Sequence, residues 1–311
     1  MTLLPPAGEH GGDGERVARA LGINIDELLD LSLSLNPVAR DPVPIVAAHL
    51  SALRRYPDAT YAHLSLAKTM NVDPERLLLS NGGAEAISLV ASEIGGSVEE
   101  PEFSLHPRGN GPRWRSNPHS PSGLLAEANE RAEVWDEAFY PLATGQWTRG
   151  DEAVVVGSLT KLLACPGLRV GYVLAEPTFI RTLRERQPAW ALNGLAATAL
   201  PELLATIDLE GDSASIRVLR EKLRALLERR GLPTLPSDAN WLLVHRAGLR
   251  EALAPAGVLV RDCTSFGLPG VSRIAVPNEN GLRRLDDALT EIEDWIEFQS
   301  SGPDNVSALP N

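Results

Sequence analysis

The feature that most restricts this chain is a succession of short apolar runs, each released into a glycine turn or a helical stretch. Leu77-Leu78-Leu79 leads through Ser80-Asn81-Gly82-Gly83 into an apolar helical stretch from Ala84 to Ile94. Further runs follow in Ala132–Glu137 (AEVWDE), Ala153–Gly157 (AVVVG) and Gly167–Ala175 (GLRVGYVLA). Such runs alternating with helices predict an α/β fold with a largely parallel sheet, whose ligands sit at the carboxyl ends of its strands. The order strand, glycine turn, helix presents unpaired backbone N–H groups to an anion. That turn alone is a weak signal, because many α/β turns of this composition bind nothing.

The rest of the pattern divides the chain. Residues 1–35 read as an N-terminal arm, with helical spacing over Asp13–Leu21 and an apolar pattern over Ile25–Leu33 that ends at Asn36-Pro37. Residues 36–205 form the larger domain, with helices within Pro42–Arg55, at His63–Met70 and at Thr178–Arg186, and a short one between Gly123 and Asp136. A helical stretch from Leu195 to Ile207 closes it. Residues 206–298 read as a smaller α+β domain: helix Ser215–Arg229, strand Asn240–His245, helix Leu249–Ala256, strands Val258–Asp262 and Ser272–Val276, helix Glu279–Phe298. Residues 299–311 are expected to be a disordered tail.

Composition removes several classes of function. Net charge is −12, which disfavours a nucleic-acid or anionic-membrane surface, since broad phosphate contact needs clustered Lys and Arg. No apolar run approaches the roughly 20 residues that cross a bilayer, and the N-terminus lacks the pattern of a secretory signal. The two cysteines, Cys165 and Cys263, argue against a disulfide framework, fit a reducing cytoplasm and read as two buried free thiols.

Chemistry concentrates in Ser158-Leu159-Thr160-Lys161 and Pro166–Tyr172. A lysine just after a buried strand can form a Schiff base with an aldehyde cofactor. Ser158 and Arg169 can hold a phosphate beside it, the arginine as a planar donor fork. A surface lysine and a structural arginine at strand ends fit the same letters equally well. Asp136 ends a run that is apolar up to the acid, and a carboxylate so placed can keep a pyridine nitrogen protonated; a helix N-cap is the plain alternative. Asn117, in Ser116–Gly123, can bond a ring hydroxyl, although in isolation a Pro-rich turn explains that segment better.

Taken together and in this order, the segments resemble the fold-type I aminotransferase family (class I/II) of pyridoxal-phosphate (PLP) enzymes over most of the chain. The resemblance is nearest to the threonine-phosphate decarboxylase branch and next to the histidinol-phosphate aminotransferase branch. It implies an aspartate aminotransferase-like fold, PLP as cofactor, no metal, and a two-fold homodimer with shared active sites. It puts the Schiff-base lysine on Lys161, the pyridinium partner on Asp136 and the ring-oxygen donor on Asn117. The phosphate cradle falls on Gly83, Ala84 and Glu85 with Ser158 and Arg169. Tyr56, in Arg55-Tyr56-Pro57-Asp58, matches a tyrosine that reaches the neighbouring subunit's phosphate. Phe103 lies where a ring stacks on the cofactor, and reads almost as well as plain core; His106 lies where a His or Tyr is found.

On the substrate side, the resemblance puts the α-carboxylate on Arg273, through two parallel hydrogen bonds, and the phosphate of a phosphorylated substrate on Arg261. Each also reads as a salt-bridged strand-end arginine. Asn36 and Asn193 complete that side, Asn193 reading equally as the cap of the next helix. The arm His10-Gly11-Gly12, the stretch Trp190–Asn193 and Phe139, where transaminases carry a tyrosine, favour the decarboxylase branch.

One departure stands out. Asn117 lies only 33 positions beyond Ala84, where relatives have many more, so a helix and an edge strand of the family's seven-stranded sheet are expected to be missing. The resemblance implies a PLP-dependent enzyme acting on an amino acid or amino-acid phosphate. Decarboxylation of O-phospho-threonine, supplying the aminopropanol part of cobalamin, leads; histidinol-phosphate-type transamination is the alternative. A decayed PLP-binding scaffold is the reading from another class, opposed by the joint presence of Lys161, Asp136, Asn117, Arg169 and Arg273. A dinucleotide-binding oxidoreductase lacks its G-x-G-x-x-G turn.

Overall fold

The computed structural model describes residues 4–150 and 153–300, the side chains of 297–300 excepted. Its contacts define two compact units: Ser34–Val218 with Pro236–Asn240, and Met1–Leu33 with Leu219–Leu235 and Trp241–Asn311. The N-terminal arm thus groups with the C-terminal unit. It carries α1 (Gly14–Leu21) and β1 (Leu29–Asp30), and β1 pairs in parallel with Val258–Leu259. Val17, Ala18 and Leu28 pack there against Ala254 and Leu259. Of the expected tail, 301–311 lie outside the described residues, while residues 299 and 300 end the last helix.

The larger unit follows as α2 (Val43–Ala48), α3 (Thr60–Met70), β2 (Leu77–Ser80), α4 (Gly82–Ile94), β3 (Trp114–Ser116) and β4 (Val134–Asp136). Next come α5 (Tyr140–Thr144), β5 (Val154–Ser158), α6 (Leu159–Leu162), β6 (Gly171–Leu174), α7 (Pro177–Arg186), α8 (Gly194–Leu204) and the start of α9 (Leu209–Arg229). Its strands are ordered β2-β6-β5-β4-β3. β3, β4 and β5 pair in parallel, and β6 runs antiparallel to both β5 and β2, so four of the five strands share one direction.

Both faces of this sheet are covered, which is why its strands read as continuous apolar runs. Leu77, Leu79, Trp135, Val155, Tyr172 and Leu174 point to one face, with Leu66 of α3 and Leu200 of α8. Leu78, Val134, Val156 and Val173 point to the other, with Val90 of α4 and Ile180 of α7. The two-residue alternation of a strand produces this division. Each fully buried leucine or isoleucine contributes about 1.5–3 kcal/mol.

The sheet is trimmed as expected, but by more than one edge strand: five strands are described, two fewer than the family's seven. Residues between α4 and β3 form a loop closed by the Ser97–Arg113 bridge, with Trp114 N–H donating to Ser97 O (2.8 Å). The short helix expected between Gly123 and Asp136 does not form. Its backbone is claimed by side chains instead: Asn117 Oδ1 accepts from Ala126 N–H (3.0 Å), and Asp238 Oδ2 from Leu125 N–H (3.0 Å). Arg149 Nη2 donates to the carbonyls of Glu127, Ala128 and Glu130. A backbone satisfied this way gains little from a helical ladder.

The second unit adds β7 (Trp241–His245), α10 (Leu249–Leu253), β8 (Val258–Leu259), β9 (Arg261–Asp262), β10 (Val271–Ala275), α11 (Glu279–Glu291) and α12 (Glu293–Ser300). β7, β10 and β9 make an antiparallel sheet in that order, while β8 pairs with β1. The strand expected over 258–262 is therefore split between two sheets at Val260. The expected final helix is likewise broken at Ile292, whose backbone leaves the helical region (φ −109°, ψ 15°). No helix among the described residues is long and apolar enough to cross a membrane.

Candidate active site

Register brings the predicted residues of the larger unit to one edge of the sheet. Ser116, Asp136 and Val156 stand in one row across the parallel strands, so Asn117, Asp136 and Ser158 all fall at carboxyl ends. Ser80 and Ser158 are each opposite Gly171, the first residue of the reversed strand β6. That reversal delivers Arg169 to the same edge.

An anion cradle forms where these strand ends meet α4. Gly82 has φ +76°, and a Cβ there would collide with the Arg169 guanidinium, which lies directly over it. Gly171 has no room for a Cβ either, since the backbone of Gly82 and Gly83 fills that space. A Cβ on Gly83 would sit 3.3 Å from Ser158 Cβ. The first N–H groups of α4, Ser158 and Arg169 therefore converge, as phosphate binding at a helix N-terminus requires. Arg169 holds a left-handed backbone (φ +57°), and its Nη1 lies 3.3 Å from Pro166 O and 3.5 Å from Thr160 Oγ1. Of the predicted cradle, Ala84 is exposed. The Glu85 carboxylate accepts from Asn81 N–H (2.7 Å) and Gln187 Nε2 (3.1 Å), so only its backbone is suited to an anion.

Asp136 is 8% exposed. Its Oδ1 accepts from Ala138 N–H (3.0 Å) and its Oδ2 lies 2.9 Å from His106 Nε2. His106, expected at the cofactor, is thus a buried partner of Asp136, and Phe103 meets its ring edge-on at 5.6 Å. Asn117 is buried; its N–H donates to Asp136 O (2.8 Å), and Ala126 occupies its side-chain oxygen, which turns the amide –NH2 into the free end of the group. Sequence reasoning passed over Glu102 and Ser116: the Ser116 hydroxyl donates to the buried Glu102 carboxylate at 2.5 Å. An acid inside the compact Pro101–His106 turn was the available signal.

Lys161 lies half-buried on α6, the single turn that follows β5, with Nζ 5.9 Å from the centre of the Phe139 ring. Ser158 caps that turn, accepting from Thr160 N–H (3.3 Å). Asn36, expected on the substrate side, instead fastens α6. Its N–H donates to Lys161 O (2.9 Å) and its Nδ2 to Leu162 O (3.1 Å) and Asp212 Oδ2 (2.9 Å). Asn193 is the cap of α8, accepting from Ala196 N–H (2.9 Å) while its Nδ2 donates to Leu168 O (2.7 Å). Tyr56 is 80% exposed and stacks on Trp190 with ring centres 4.6 Å apart. Both cysteines are free; Cys263 is buried, but Cys165 is only half-buried.

In the second unit, Arg261 on β9 and Arg273 on β10 are paired in register, each 4% exposed. Arg261 lies over Phe266 (4.4 Å) and Arg273 over Trp241 (4.9 Å). Neither has a carboxylate within ion-pair distance among the described residues, and both Nε atoms lack a hydrogen-bond partner there. The salt-bridged alternative for these arginines is thereby set aside. Burial, and then the like charge of Arg261, pulls the Arg273 guanidinium below its usual range. The arm reaches this place within the same unit: Glu9 O accepts from Arg261 Nη2 (2.9 Å) and from the Ser265 hydroxyl (3.0 Å).

With the candidate residues gathered at the carboxyl edge of this sheet, comparison with known proteins supplies the class. The family model for aminotransferase class I and II matches residues 116–289. Threonine-phosphate decarboxylase of Salmonella typhimurium is 30% identical, over 94% of this chain and 99% of that one. The histidinol-phosphate aminotransferase of Halorubrum lacusprofundi is 26% identical, over 89% and 93%. The Sinorhizobium meliloti histidinol-phosphate aminotransferase, solved in complex with pyridoxal-5'-phosphate, superposes with a TM-score of 0.77 over 91% of this chain and 95% of that one, at 15% identity. The chain belongs to the aminotransferase class I and II family, and its fold is that of the fold-type I PLP enzymes. The Salmonella alignment runs to 367 positions against 311 residues here, so that relative carries segments this chain lacks.

The residues present fit PLP. The N-terminus of α4, with Ser158 and the Arg169 guanidinium over Gly82, offers a place for a phosphate; Asp136 offers an acid, Asn117 an amide donor and α6 a primary amine.

Proposed function

We propose that this chain is a PLP-dependent enzyme acting on a phosphorylated amino acid, in the manner of threonine-phosphate decarboxylase. The observation that carries the substrate class is the pair of buried guanidiniums, Arg261 and Arg273, neither with a carboxylate in ion-pair distance among the described residues. Two buried cations so placed suit a small molecule bearing two anionic groups, because burial strengthens each charge-assisted hydrogen bond. Arg273 is assigned the α-carboxylate and Arg261 the phosphate. Bound PLP supplies an electron sink, through a carbonyl that condenses with amines and a ring that accepts electrons.

The chain's own residues supply the rest. Lys161 provides the amine that holds the cofactor and can carry a proton to or from the reacting carbon. The Asp136 carboxylate holds a proton on the ring nitrogen, and Asn117 donates to the ring oxygen. The α4 N-terminus, Ser158 and Arg169 anchor the phosphate. Arg273, by holding the substrate's carboxylate, would set which bond of the reacting carbon is presented for cleavage.

Product analysis tests the proposal. With O-phospho-threonine and no keto-acid acceptor, release of carbon dioxide is expected. Glutamate formation from histidinol phosphate and 2-oxoglutarate would make the chain a transaminase instead, and neither product would overturn both.

The proposed enzyme is a homodimer, with Tyr56 reaching the partner's cofactor phosphate. In support, Val43, Leu53, Tyr56, Tyr61 and Trp190 are all more than 60% exposed in the single chain, an apolar display that a second copy would cover. Sedimentation at a monomeric mass would sink this part.

A further inference from the structure

Behind Asp136 lies a second buried acid. Glu102, 3% exposed, belongs to the turn Pro101–His106. Its carboxylate accepts from Ser116 N–H (2.9 Å), the Ser116 hydroxyl (2.5 Å) and Phe103 N–H (2.8 Å). Arg108 ties the same turn together, donating to the carbonyls of Glu102, Phe103, Ser104 and His106. The fixed carboxylate and the braced turn leave the His106 ring standing between two acids.

His106 is 3% exposed, with Nε2 2.9 Å from Asp136 Oδ2 and Nδ1 3.8 Å from Glu102 Oε1. Nδ1 is buried and has no hydrogen-bond partner among the described residues. A carboxylate only accepts, so the bond to Asp136 places a proton on Nε2. A bare lone pair on Nδ1 would then face the Glu102 oxygen, which is repulsive; a proton there makes the contact attractive. We infer that Glu102 is a positioning residue that holds a proton on His106 Nδ1, fixing the imidazole at both nitrogens so that Nε2–H secures Asp136 from behind. Asp136 then presents its charge in one orientation instead of several. The functional meaning rests on reading Asp136 as the partner of the cofactor's ring nitrogen; the geometry does not.

The test uses cofactor-free protein labelled with 15N in histidine, the His106 signals being assigned by their loss in His106→Gln. The wild type is expected to show a proton on both His106 nitrogens. Glu102→Gln should lose the Nδ1 proton and keep that on Nε2, and Glu102→Asp should restore it. By equilibrium dialysis, the PLP dissociation constant should rise roughly tenfold in Glu102→Gln, a change of about 1.4 kcal/mol. A wild-type spectrum with one proton on His106, an Nδ1 proton that survives in Glu102→Gln, or unchanged PLP affinity in that variant would each overturn the inference. If Glu102→Gln does not fold, the wild-type spectrum decides alone. Asp136→Asn with unaltered PLP affinity would remove the role of Asp136, and the cofactor-free spectrum would still judge Glu102.

Discussion

Arg261 and Arg273 stand directly opposite each other on β9 and β10, two buried cations in register with no carboxylate beside either among the described residues. Like charges across a ladder oppose folding, so this unit is less stable without an anion than with one. At a hundredfold excess over its dissociation constant, O-phospho-threonine should stabilise the protein by about 2.7 kcal/mol. Arg261→Met should melt higher than wild type when unliganded and lose that gain. Differential scanning fluorimetry measures both; a variant that melts lower and still responds to the ligand contradicts the arrangement.

Lys161→Ala should fold normally by circular dichroism yet lose the visible absorbance of the cofactor-bound protein. Asp136→Asn should keep a visible band while activity falls at least a hundredfold, in the range of lost electrostatic stabilisation. Visible absorbance unchanged in Lys161→Ala would remove that residue from the chemistry.

Asn36→Ala strips donors from Leu162 O and Asp212 and should cost about 1–3 kcal/mol, the penalty for buried groups left unpaired. Burial raises the Asp212 carboxyl above its ordinary value, and the Asn36 bond opposes that rise. A raised carboxyl binds its proton more tightly folded than unfolded. Its contribution to stability is full at low pH and is lost as pH climbs through the carboxylate range. Losing Asn36 should steepen that loss, so the gap between variant and wild type widens from acid to neutral pH. Urea titrations across that range give the answer, and a constant gap refutes it.

Gly171→Ala and Gly82→Ala should fail differently. At Gly171 the new Cβ would meet backbone, including Gly83 N at 2.6 Å, which cannot move aside; a loss of roughly 1–3 kcal/mol follows. At Gly82 the obstacle is the flexible Arg169 side chain. That variant should fold with modest strain and bind PLP or inorganic phosphate weakly. Equal phosphate affinity in Gly82→Ala and wild type would dissolve the cradle.

Much of this was legible beforehand, for physical reasons. Runs such as Leu77–Leu79 and Val154–Val156 announce strands covered on both faces, and their order puts Asn117, Asp136 and Ser158 at carboxyl ends. The direction of β6 was not legible, since period-two alternation reads the same in either sense. Residues 124–133 have helical composition, but Asn117, Asp238 and Arg149 compete for their backbone from distant positions. Asn36 and Asn193 have the letters of ligands and the contacts of fasteners, and only tertiary structure separates the two. Glu102 stayed hidden because an acid next to a proline reads as surface until burial is known.

The backward course of β6 carries one more implication. The chain leaves the pocket at Ser158 and re-enters it at Arg169 within a single excursion, 159–170, that also bears the lysine. An inserted or deleted residue there would shift amine and guanidinium at once. Across the sheet, beyond β3, a whole segment could be shed without either noticing. Tolerance to change is therefore lopsided: generous at the outer margin and almost nil in the loop that feeds both ends of one hairpin.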